Sequence, residues 1–164
     1  MRVALIYLLF FTHIILGNNN IKTLPKDSLS KDSLVNYSMS FLGTKYCYGS
    51  CNPQKGFDCS GFVYHIFSHF NIKVPRSSKD YISCGITIHP DSFKIGDIII
   101  FTGTSSKSRK PGHVGIITSN YNNELQFLHS SSNKKHSGIK LSNFTDAPYY
   151  KNRFIKIVRI ASVY

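Results

Sequence analysis

The chain has 164 residues, room for one domain of ordinary size. Hydrophobic residues make up 41% and aromatics 13%, enough for a packed core, which excludes a disordered chain even though Trp is absent. Twenty Lys and Arg against eight Asp and Glu give a formal charge of +12. That balance favours nucleic acid, anionic lipid or acidic wall polymers as surroundings without choosing among them.

Met1-Arg2 opens an apolar run from Val3 to Leu16, interrupted only by Thr12 and His13 and followed by Gly17 and three Asn. A basic start, a short apolar stretch and an abrupt polar exit fit a signal peptide over residues 1–17 better than a membrane-spanning helix, which needs about 20 apolar residues. An uncleaved anchor or an internal apolar helix is the alternative, because Ile15-Leu16-Gly17 is a poor cleavage site. Export implies an envelope, periplasmic or secreted location, and the exported chain keeps a charge of +11, since residues 1–17 carry one cation, Arg2, and no acid. Residues 18–32, polar and containing Pro25, read as a linker ahead of a domain over 33–164.

Between Lys31 and Leu42 the apolar residues Leu34, Tyr37, Phe41 and Leu42 follow helical spacing, with Gly43 as a stop. Residues 44–58 read as a loop. A second helix is predicted from Cys59 to Phe70, with Asn71 as its cap, and a weaker one from Ser78 to Ile82. After Pro90 the period becomes that of β-structure. Strands are predicted at Ile98–Phe101, His113–Thr118, Leu125–His129 after a turn at Asn122-Asn123, Gly138–Leu141 and Phe154–Ile160. Asp97 reads as a turn residue. Helices followed by an antiparallel meander make an α+β domain.

The four cysteines, Cys47, Cys51, Cys59 and Cys84, lie at spacings that match no zinc-ligand pattern, so no metal and no cofactor is expected. With one cysteine kept as a working thiol, Cys47, Cys51 and Cys84 allow at most one disulfide, whose pairing the sequence leaves open. The candidate thiol is Cys59, in Gly56-Phe57-Asp58-Cys59-Ser60-Gly61-Phe62. It stands at the first turn of an apolar-faced helix, where free N–H groups favour thiolate and can hold an oxyanion. Such a thiol needs a base. His113 begins one predicted strand and His129 ends the next, placed to orient the first imidazole. The bland alternatives are a buried structural cysteine and two satisfied histidines.

The segments Gly43-Thr44-Lys45-Tyr46-Cys47-Tyr48-Gly49, GFDCSGF at 56–62, Val74-Pro75-Arg76-Ser77-Ser78, Gly96-Asp97-Ile98-Ile99-Ile100-Phe101 and HVGI at 113–116 together resemble the NlpC/P60 family of cell-wall cysteine peptidases. The resemblance implies a papain-like fold, with helices carrying the cysteine packed on an antiparallel β-sheet carrying the histidines. It also implies hydrolysis of peptidoglycan stem peptides, commonly between D-γ-glutamyl and a diamino acid; a monomer is expected. Carried over, Cys59 resembles the nucleophile, His113 the base and His129 the orienting third residue. Tyr46 resembles the tyrosine that assists the oxyanion, and Asp58, Ser60, Arg76, Ser77 and Ser78 match positions lining the groove. Arg76 is thereby a candidate clamp for a substrate carboxylate, or merely the partner of an acid.

Two positions depart from the family pattern. Ser50 stands where a second Gly is usual, and Tyr81 where a Gln often follows the Arg-Ser-Ser block. A thiol amidase or acyltransferase on the same fold is the main alternative, followed by a wall-binding module that has lost activity. A nucleic-acid binder ranks lowest, because the basic residues are scattered over loops without interleaved aromatics.

Overall fold

The computed structural model describes residues 30–105, 107–121 and 124–160. The expected signal peptide, most of the expected linker and the Asn122-Asn123 turn lie outside the described residues. The first helix, α1, spans Lys31–Met39; the Ser30 hydroxyl caps it by accepting from the Ser33 N–H at 3.0 Å. It stops a turn earlier than its periodicity predicts. Phe41 still packs on the core, Leu42 is left exposed, and Gly43 turns the chain at φ +80°.

Two short strands, β1 (Cys51–Asn52) and β2 (Gly56–Phe57), form a hairpin within the expected loop. The helix α2 spans Cys59–His69 and buries Phe62, Val63, Ile66 and Phe67. The chain leaves it through Asn71 at φ +59°. Residues Ser78–Ser83, predicted as a weak helix, form a 3₁₀ segment that buries Tyr81.

Six antiparallel strands make the sheet: β3 (Ile86–Ile88), β4 (Ile98–Thr102), β5 (Pro111–Tyr121), β6 (Glu124–Ser131), β7 (Gly138–Asn143) and β8 (Phe154–Arg159), in the order β3-β8-β4-β5-β6-β7. A one-turn helix, α3 (Pro148–Lys151), precedes β8. Both β3 and α3 escaped the sequence reading, since three and four residues carry too little period to register.

The sheet is apolar on both faces. Ile98, Ile100, Val114, Ile116 and Leu128 pack with α2, whereas Ile99, Phe101, Ile117 and Phe127 pack with Phe144, Tyr150 and Phe154 on the other side. Double-sided burial explains the unbroken Ile98–Phe101 run. The architecture is the α+β arrangement expected.

Asp97 does more than turn the chain. Its fully buried carboxylate accepts from Arg159 Nε and Nη2, both at 2.8 Å, and from the Lys94 N–H at 2.7 Å. This bidentate pair ties the entry of β4 to the end of β8. Asp97→Ala removes the bidentate acceptor of a largely buried guanidinium, so it is expected to lower the unfolding free energy by about 3–5 kcal/mol. The check is a urea titration: a midpoint that barely moves would show that the pair contributes little.

Candidate active site

Asp58 sets the start of α2. Its Oδ1 accepts from the Gly61 N–H at 2.6 Å, from Arg76 Nη1 at 3.0 Å and from the Ser60 hydroxyl at 3.2 Å, while Oδ2 accepts from Arg76 Nη2 at 2.8 Å. Gly61 is required here: a side chain would collide with the Ser50 carbonyl oxygen, which itself accepts from the Asp58 N–H at 3.0 Å. The helix cap, the guanidinium and the β1–β2 hairpin thereby fix Cys59 from three directions.

Cys59 faces a groove of about 390 Å³. Tyr46, Asp58, Ser60, Arg76, Ser77 and Ser78, the six groove candidates named from the sequence, all line it. Tyr48, Gly49 and Gly112 complete the wall. Tyr46 reaches it through an isolated bridge to Phe57, one residue before Asp58. Arg76 is about one-third exposed and donates from both terminal nitrogens to Asp58 and Ser60, the pairing with an acid that the sequence offered beside the carboxylate clamp.

The histidines come from β5 and β6. His113 pairs in register with Phe101 of β4, and the His113 and His129 rings meet edge to face with centroids 4.9 Å apart. His113 Nε2 lies 2.9 Å from His129 Nδ1. On its far side, His129 Nε2 lies 3.0 Å from the Ser142 hydroxyl and 3.1 Å from the Tyr150 hydroxyl. Ser142 and Tyr150 were not anticipated; Ser142 is a polar inward position on β7, and Tyr150 belongs to α3, which gave no periodic signal. His136 sits on an exposed loop away from this chain of contacts.

The Cys59 sulfur hydrogen-bonds the Gly112 carbonyl at 3.9 Å, next in sequence to His113. No hydrogen bond joins the thiol to the imidazole among the described residues. The expected preference for thiolate is reversed. Burial pushes the Cys59 thiol up, and the neighbouring Asp58 charge adds to the rise, outweighing the N–H groups of Val114, Ser60 and Cys59 itself that pull it down. Burial, reinforced by the Arg153 charge, pushes His113 down to about 3. His129 is held well below its ordinary value by burial, then by His113, Lys140 and Arg153. Both shifts favour the neutral thiol and the neutral imidazole.

The NlpC/P60 family model matches residues 43–159. The chain belongs to the NlpC/P60 family. It is 32% identical over 133 residues to the gamma-DL-glutamyl hydrolase of Bacillus subtilis, covering 81% of this chain and 30% of that protein. To the murein DD-endopeptidase MepS/murein LD-carboxypeptidase of Escherichia coli it is 30% identical, covering 80% of this chain and 64% of the relative. The chain thus spans less than two thirds of either curated relative. A crystal structure of an NlpC/P60 family protein from Bacillus cereus superposes with a TM-score of 0.68 at 25% identity, covering 79% of this chain and 40% of that one.

Imidazoles whose pKa is depressed in the folded state make the fold acid-sensitive. Unfolding releases both rings to a pKa near 6.5, so their contribution is complete above that value and falls away below it, that of His113 as pH drops to about 3. The thermal midpoint is expected to drop over this window, and the His113→Gln/His129→Gln double variant is expected to drop less steeply. Parallel declines in the two proteins would contradict a neutral pair.

Proposed function

We propose that this protein is an exported cysteine peptidase that hydrolyses peptidoglycan stem peptides at the bond between a γ-linked D-glutamyl residue and a diamino acid. The observation that carries the reading is one juxtaposition. A cysteine at the N-terminus of α2 faces a groove and lies against the residue preceding His113, whose ring is held by His129. The names of the two curated relatives supply the substrate class, and they differ on the bond. We favour the γ-glutamyl bond, for which the Bacillus relative is named.

The chemistry follows from the tautomers. To accept a proton at Nδ1, His113 must carry its hydrogen on Nε2 and donate it to His129 Nδ1. His129 then carries hydrogen on Nε2 and donates to Ser142 or Tyr150. The thiol turns from the Gly112 carbonyl to His113, gives up its proton, and attacks the peptide carbonyl carbon. The N–H groups at the start of α2, with the Tyr46 hydroxyl, receive the oxyanion. As the C–N bond breaks, His113 returns the proton to the leaving nitrogen, and an S–C acyl-enzyme remains. Water, deprotonated by His113, then attacks the acyl carbon, and the S–C bond breaks to regenerate the thiol.

Two variants test these roles. Cys59→Ala is expected to abolish release of fragments from purified peptidoglycan, followed by mass, with the fold intact. His129→Ala is expected to lower kcat by about ten- to a thousandfold with little change in KM, as an orienting residue does. His136→Ala is expected to change neither. Turnover by the Cys59→Ala protein, or release only of fragments cut at a sugar–lactyl amide, would overturn the reading.

A further inference from the structure

A second cleft, of about 420 Å³, is lined by His113 and His129 and shares no lining residue with the Cys59 groove. Lys140 and Arg153 also line it, and among the described residues no Asp or Glu does. Arg153 is about nineteen-twentieths buried. It donates from Nη2 to the Thr102 carbonyl at 2.9 Å and to the Gly103 carbonyl, and from Nη1 to the Tyr149 hydroxyl. Its guanidinium carbon also lies 4.5 Å from the centre of the Tyr149 ring. Among the described residues its buried Nε has no acceptor, and neither Arg153 nor Lys140 belongs to an ion pair. Lys140 stands directly across from His129 in the β6–β7 register.

A guanidinium removed from water without a counter-ion is costly, and carbonyl dipoles offset only part of that cost. Such a site recruits an anion. The order of bond breaking says which part of a substrate reaches it. The acyl fragment stays on Cys59, in the first groove, whereas the leaving nitrogen must touch His113 to be protonated. The second cleft is free space against the His113–His129 pair.

We propose, on the hydrolase reading above, that this cleft receives the leaving amine fragment and that Lys140, backed by the fixed charge of Arg153, holds a free carboxylate of that fragment. Arg76 lines the other groove and spends three of its N–H groups on Asp58 and Ser60. An anion placed here also offsets two of the charges that, after burial, depress the imidazoles, so a bound substrate strengthens the base that acts on it.

The test uses the full chain and two tripeptides, L-Ala-γ-D-Glu-L-Lys with its terminal carboxylate free or converted to the carboxamide. The protein is expected to cleave the acid about ten- to a hundredfold more efficiently in kcat/KM, as befits a charge-assisted contact. Lys140→Gln replaces a partly exposed strand residue and should fold normally. It is expected to lose that advantage, cleaving acid and amide with about equal efficiency. Equal cleavage of acid and amide by the parent protein overturns the leaving-group assignment and leaves the hydrolase reading standing. So does a Lys140→Gln loss that is the same on both peptides, which marks a merely structural role. A parent protein that cleaves neither peptide removes the γ-glutamyl reading, and this assignment with it.

Discussion

The geometry of the site depends on where the first turn of α2 lies, and Asp58 fixes that turn by holding a backbone N–H, a hydroxyl and a guanidinium at once. As a helix cap it satisfies one of the free donors of α2. As the partner of Arg76 it draws the Arg76-Ser77-Ser78 segment against the helix end, which makes one wall of the Cys59 groove. With Arg76 about one-third exposed, the pair itself adds only about 1 kcal/mol of stability. Its value is positional. The arrangement also has a chemical cost, because a carboxylate beside the sulfur disfavours the thiolate.

That cost shapes the reaction. A preformed thiolate–imidazolium pair needs a polar setting, whereas Cys59 is mostly enclosed and the histidines sit against Phe101, Phe127 and Tyr150. On the proposed reading, the thiol therefore yields its proton to His113 only as the substrate is attacked. Ser142 and Tyr150 at the end of the chain of contacts hold one His129 tautomer, which in turn holds that of His113. The two clefts differ in charge: in the Cys59 groove Arg76 is paired to Asp58, whereas among the described residues Lys140 and Arg153 in the second cleft belong to no ion pair.

Much of this was legible in the sequence because the relevant signals are local. The helical period around Cys59, the double-sided apolar run Ile98–Phe101 and the turn glycines mark elements whose burial follows directly from spacing. The groove residues were found through a motif resemblance, and the structure brings all six together with Cys59. What stayed hidden depends on distant partners. That Asp97 pairs with Arg159, 62 positions away, cannot be read from a Gly-Asp turn. Ser142 and Tyr150 reach His129 only through sheet register and a one-turn helix. The direction of the Cys59 shift was misjudged for a related reason: helix-terminal N–H groups are visible in sequence, but the depth of burial that outweighs them is not.

The most direct measurement is the mass of the intact protein, acid-quenched within milliseconds to seconds of mixing with a defined γ-D-glutamyl peptide, followed by peptide mapping. Acyl transfer to sulfur predicts a transient adduct equal in mass to the acyl fragment, located on the peptide that contains Cys59 and absent from Cys59→Ala. Turnover of the peptide by the Cys59→Ala protein, or an adduct mapped to Cys47, Cys51 or Cys84, would contradict catalysis by Cys59.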